Sequence, residues 1–150
     1  MVELIVVSAC LVGVNCKYNG DNNDNDKVKE YLKDKEYVII CPEQLGGLTT
    51  PRKPSEINKI GGKAVLNGNS KVISCEGKDV TENFVNGAKE SLKIAKLFNC
   101  EQAILKEGSP SCGCNLIYDG TFTGKKVPGM GVTAALFNEN NIEVFSEKEL

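Results

Sequence analysis

Seven cysteines and no histidine are the first chemical facts of this 150-residue chain. The missing imidazole removes Ser-His and Cys-His nucleophile pairs, His-containing zinc sites and any imidazole proton relay. Cys10, Cys41 and Cys112 each fall at or just past a short apolar run, and Cys16 follows Cys10 on the same loop. Soft thiols without a nitrogen partner suit zinc or an iron–sulfur centre. The alternative is that these cysteines are small buried hydrophobes. That blander role fits Cys75 and Cys100, while Cys114 is divided evenly between the two. No C-x-x-C occurs, so a zinc ribbon or thioredoxin-like site has no support.

Other reactive groups stand beside these thiols. Glu43 follows Cys41-Pro42 and, with histidine absent, is a candidate for general acid/base work; its bland reading is an exposed loop charge. Ser109-Pro-Ser-Cys-Gly113 is a turn that would hold Cys112 rigidly, with hydroxyls and amides facing the same space; Ser109 or Ser111 could equally cap a following helix. The only arginine, Arg52, lies in a proline-braced loop, suited to a carboxylate, a phosphate or a carbonyl edge, or else to a structural pair with Glu56.

These residues need a frame. Buried strands are expected at residues 3–9, 37–41 and 102–106, with a last strand over 142–145. Helices are expected over 27–34, from Thr81 to about Asn99 with the Thr81 hydroxyl as N-cap, and over 131–138. Segments 11–26 and 46–62 read as loops, residues 64–66 and 71–74 as a small hairpin around Asn67-Gly68-Asn69, and 116–123 as containing a further turn. Strands alternating with helices imply a single α/β domain spanning 1–150, with a mainly parallel sheet flanked by helices and long βα loops forming the site. Cys10, Cys41 and Cys112 would then share the C-terminal rim of the sheet, where open α/β folds bind ligands.

Composition narrows the classes. Apolar residues at 41% and charged residues at 25% are ordinary globular values, and a net charge of −2 is too balanced for a duplex-binding surface. No export signal or apolar membrane span is visible, so a reducing, cytoplasmic setting is expected, without a membrane or a stable nucleic-acid complex as partner. No G-x-G-x-x-G follows the first strand and no P-loop is present, so a nicotinamide, flavin or nucleotide-triphosphate site is not expected.

The motifs Ser8-x-Cys10-Leu11-x-Gly13-x-x-Cys16-x-Tyr18-x-Gly20, Cys41-Pro42-Glu43 and Gly47-Leu48-x-x-Pro51-Arg52-x-Pro54-x-Glu56 resemble the opening of the TudS-type thiouracil desulfidases. Gly77-x-Asp79-Val80-Thr81-x-x-Phe84-x-x-Gly87-Ala88, Leu105-Lys106-x-x-Ser109-Pro110-Ser111-Cys112-Gly113, Tyr118-Asp119-Gly120-x-Phe122 and Gly129-x-Gly131-Val132 continue the likeness along essentially the whole chain. The resemblance implies a small α/β domain with a [4Fe–4S] cluster held by three cysteines, and non-redox removal of sulfur from thiouracil or a related thionucleotide. Three of Cys10, Cys16, Cys41 and Cys112 would be the ligands, Cys41 being the weaker candidate. Glu43 would be the catalytic carboxylate and Ser109 an assisting hydroxyl, with Ser8, Arg52, Lys106 and Ser111 expected around the substrate. The rival reading is an iron–sulfur redox or sensor protein without desulfidase activity, which would need neither Glu43 nor a pocket.

Overall fold

The computed structural model describes residues 4–150. Its centre is a four-stranded, fully parallel sheet built from β1 (Leu4–Ser8), β2 (Glu36–Ile40), β5 (Gln102–Leu105) and β8 (Glu143–Ser146), in the order β2-β1-β5-β8. Glu3, expected in the first strand, lies outside the described residues. The α/β expectation holds. Alternation along β1 sends Ile5 and Val7 to one face and Val6 to the other, so both faces of the central strand are buried.

On the Ile5/Val7 face, helix α1 (Asp26–Leu32) packs through Val28 and Leu32. Asn25 starts it, its side chain accepting the Val28 amide N–H at 3.0 Å. On the opposite face lie α4 (Thr81–Leu97) and α5 (Val132–Glu139), contributing Ala95, Ala134 and Phe137 to a core with Val6, Ala103 and Leu105. The chain therefore leaves β1 toward one face and β5 toward the other, and these adjacent strands open a crevice between their C-terminal ends.

Two antiparallel pairs stand apart from the sheet: β3 (Ser55–Ile57) with β4 (Val72–Ser74), and β6 (Leu116–Tyr118) with β7 (Lys126–Pro128). Several expectations need correction here. Residues 64–66 are not a strand; they end a short helix, α3 (Gly62–Leu66), and the true partner of 72–74 is β3, inside the segment read as loop. Three-residue strands are too short to show a period, so pairing and not pattern defines them. Thr81 is the first helical residue, not the cap. Its hydroxyl accepts the Val72 amide N–H at 3.0 Å, tying α4 to β4. Strand β2 is less buried than its apolar run implies, because it is a sheet edge: Tyr37 and Ile39 are exposed and only Ile40 is buried.

Candidate active site

Directly after β2, Cys41 and Pro42 turn the chain into a one-turn helix, α2 (Pro42–Leu45), which carries Glu43. Proline suits such a start because its ring presets φ and its missing N–H would be unpaired there. Helix α4 supports α2 at backbone contact distance. A Cβ built on Gly87 would fall on the Pro42 carbonyl oxygen, and one on Gly46 on the Asn83 carbonyl oxygen. Two glycines thus let α2 sit against α4, and Asn83 secures it by donating from Nδ2 to the Gly46 carbonyl at 2.8 Å. The position of Glu43 is set by this close approach.

A cavity of about 400 Å³ opens at the rim, between the loops that follow β1, β2 and β5. Ser8, Cys10, Cys16, Cys41, Glu43, Arg52, Lys106, Ser109, Ser111 and Cys112 all line it. Cys10 and Cys16 come from the loop after β1, Cys41 from the end of β2, and Cys112 from the loop after β5. The other three thiols stay outside. Cys75 is exposed beyond β4, while Cys100 and Cys114 are buried in the core beneath α4 and α5. Cys114 points inward, with its Sγ 3.9 Å from the Leu105 carbonyl and 3.7 Å from that of Cys112, which settles its evenly weighed role as core.

Hydrogen bonds polarise the thiols. Cys16 lies in reach of both Cys10 and Cys41. Donation from Cys16 lowers the Cys10 pKa against the opposing effect of burial. Directed to Cys41 instead, the same proton brings that thiol down to about 6, with help from the Gln44 amide and the Arg52 charge. Cys16 is raised in consequence. Burial pushes the Cys112 thiol up to about 12, against the opposing hydrogen bond from Ser8. Because Cys16 has a single proton, it biases one of these two thiols at a time toward thiolate, the form that binds metal.

Glu43 is the hub of the polar side. Its Oε1 accepts Arg52 Nε at 2.9 Å and its Oε2 accepts the Ser111 hydroxyl at 3.0 Å. Ser109 and Ser111 share a hydrogen bond of 2.9 Å. Because Ser111 has one hydroxyl proton and gives it to Glu43, the proton between the serines belongs to Ser109. A directed string results, Ser109 to Ser111 to Glu43. Ser109 Oγ in turn accepts the amides of Ser111 and Cys112 at 3.1 Å each, which fixes the turn bearing Cys112.

Four of the five N–H groups of Arg52 are engaged. Besides Glu43 it donates through Nη1 to the Thr49 carbonyl and Thr50 hydroxyl, and through Nη2 to the Cys16 carbonyl at 2.8 Å. Its side chain is 8% exposed and that of Glu43 17%. It pairs with Glu43 and not with Glu56, whose carboxylate accepts the amides of Gly120 and Phe122. Lys106 also lines the cavity, but its ammonium is held by the Glu107 carbonyl at 2.8 Å and by Glu147 at 3.2 Å. The Ser8 hydroxyl accepts the Lys106 amide at 3.0 Å, clamping β1 to the end of β5. The cations with freer ammonium groups at the cavity are Lys17 and Lys126, which residue spacing did not single out. Phe122 stands in the sequence only within a motif, with no task, and Glu56 only within another and as a candidate partner for Arg52.

The donor set fits an iron–sulfur group. It offers thiols only, drawn from three loops around a cavity. Among the described residues no group of three or more His, Cys, Asp or Glu side chains is arranged for a single metal ion. Thiols spread around a space suit a cluster better than lone zinc.

Comparison with known proteins agrees with this arrangement. The family model for 2-thiouracil desulfurase matches residues 5–149. The chain belongs to the 2-thiouracil desulfurase family. It is 48% identical over 147 residues to the Bacillus subtilis (strain 168) protein YbbK, covering 98% of this chain and 97% of that one. The solved structure of a [4Fe-4S]-dependent thiouracil desulfidase, TudS, superposes with a TM-score of 0.86 at 38% identity, over 99% of this chain and 93% of the other. No helix among the described residues is long and apolar enough to cross a membrane.

Proposed function

We propose that the chain is a non-redox, [4Fe–4S]-dependent desulfidase that exchanges the exocyclic sulfur of thiouracil, or of a thiouridine-type nucleotide, for oxygen from water. Free thiols around the cavity suit a reducing compartment, which makes the cytoplasm its setting. The observation that carries the reading is the hydrogen-bonded Ser109–Ser111–Glu43 string in the same cavity as four thiols. An electron carrier has no use for a placed carboxylate and a space for a small ring.

Three of Cys10, Cys16, Cys41 and Cys112 would hold the cluster. When bound, the cluster would supply a Lewis acid for the exocyclic sulfur, making a poor leaving group a good one. The protein supplies the rest. Glu43 takes a proton from a water aimed at the ring carbon, and Arg52 keeps the carboxylate oriented so that Oε2 faces the serines. Ser111 and Ser109, donating toward Glu43, hold that carboxylate in place, and Glu43 returns the proton it has taken to the departing sulfur or to the ring. Sulfur leaves as sulfide, water supplies both the oxygen and the protons, and no electron is transferred.

The test is anaerobic reconstitution with iron and sulfide, followed by incubation with 2- or 4-thiouracil in the absence of reductant. Uracil and sulfide in equal amounts are expected. Turnover that requires a reductant, or an intact cluster absorption with no turnover of any thiopyrimidine, overturns the reading in favour of a redox or sensor protein.

A further inference from the structure

The turn between β6 and β7 brings an aromatic ring to the cavity wall that the chemistry above leaves unused. Phe122 is 39% exposed and has φ of 58°, in the left-handed region that a bulky side chain seldom enters. The surrounding structure enforces that conformation. Glu56 on β3, 9% exposed, accepts the Gly120 amide at 2.9 Å and the Phe122 amide at 3.2 Å on one carboxylate oxygen. Gly120, with φ of 92°, lets the turn lie against β3, since a Cβ there would meet the Ile57 and Asn58 carbonyl oxygens at 2.7 Å. Asp119 accepts the Thr121 amide at 2.9 Å and completes the turn. A loop serving only to connect two strands would relax; this one is held against relaxation by a buried carboxylate.

We propose that Phe122 is the stacking platform for the substrate's heterocycle, and that Glu56 is the positioning residue that holds it at the cavity. The inference rests on the desulfidase reading, in which the substrate is a planar pyrimidine. Thiols, carboxylate and serines address the edge of such a ring, and its faces call for an apolar plane. Tyr18 and Tyr118 also line the cavity, but each carries an ammonium over its ring, Lys17 at 5.8 Å and Lys126 at 5.3 Å from the centroid. Among the described residues Phe122 has no such cover.

The chain contains no tryptophan, so Phe122→Trp places a single indole reporter at the proposed platform. On cluster-loaded protein its emission is expected to be quenched saturably by uracil and by 2-thiouracil. Phe122→Ala is expected to raise KM by about tenfold, the worth of one ring stacked on an aromatic face, with kcat little changed. Glu56→Ala should raise KM similarly, and Glu56→Gln, whose amide oxygen can still accept both N–H groups, should restore it. Phe122→Ala combined with Glu56→Ala should be no worse than Phe122→Ala alone, an outcome that general loosening would not give. Because Glu56 is buried and its alanine variant can unfold, Phe122→Ala and Phe122→Trp decide by themselves. Wild-type turnover with unchanged KM in Phe122→Ala, or an indole insensitive to uracil, overturns this inference alone. Absence of wild-type turnover overturns the desulfidase reading and this inference with it.

Discussion

Glu43 meets every group that matters to the polar half of the site: an arginine on one oxygen, a serine string on the other, and Cys41 two residues before it. Glu43→Gln preserves volume and the bond from Arg52 but removes the base. Iron content and cluster absorption should survive, while desulfuration falls by about 10²–10⁴-fold, the usual worth of a placed general base. Cys112→Ala should abolish both absorption and turnover, since it takes one soft donor from a set of four. Loss of iron in Glu43→Gln, by contrast, would make that carboxylate a ligand or a support. Residue types made most of this legible: a thiol or carboxylate at the end of an apolar run points to the rim of a parallel sheet. Partners were less legible. Arg52 was weighed against Glu56, four residues on, because sequence proximity was the only guide; the fold instead brings Arg52 to Glu43 on α2 and sends Glu56 to the turn carrying Phe122. Nothing in composition marks an aromatic held by a left-handed backbone.

The elements that were easy to read are those with enough length to display a period or a run: β1, β5, α4 and α5. Most of the short ones escaped, apart from β4, which lies in the 71–74 segment read as a hairpin strand. Helix α2 has a single turn, α3 little more, and β3, β4, β6 and β7 have three residues each, so tertiary contacts define them. Yet α2 carries Glu43, and its seat depends on Gly87, a residue that propensity alone would count as a weakness in the middle of a helix. Gly87→Ala tests that seat. The added methyl improves intrinsic helix propensity but collides with the Pro42 carbonyl, so a net loss of about 1–3 kcal/mol is expected from overpacking, read as a lower denaturant midpoint. Activity should fall further than stability requires, because α2 can escape the methyl only by carrying Glu43 away from Ser111. A variant as stable and active as the parent would mean that α2 and α4 separate without consequence for the site.

For the molecule as a whole, the carboxylates buried for structure set the response to acid. Burial acts to raise the Glu107 pKa, but the amides of Asn115, Leu116 and Cys114 and the Asn115 side chain outweigh it and hold the carboxyl below the ordinary glutamate value. A group depressed on folding contributes stability above its unfolded pKa, near 4.5, and loses that contribution as pH falls through the folded value. Thermal stability should therefore decline below about pH 4.5, and Glu107→Gln should be less stable at pH 7 with a shallower acid limb in a pH series of melting curves. Parallel acid limbs in the two proteins would assign the acid sensitivity elsewhere. The strand order also has a consequence in time. Strand β1, made first, has β5 as its neighbour, so half of its pairing waits until most of the chain exists. Cys112 comes later still, on the loop beyond β5. At a synthesis rate of about 5–20 residues per second, Cys10, Cys16 and Cys41 are made at least about 4–14 s before Cys112, the last thiol of the cavity. The site is thus assembled by translation in a fixed sequence, and metal delivered early would meet three thiols on an unfinished sheet with no walls to the cavity.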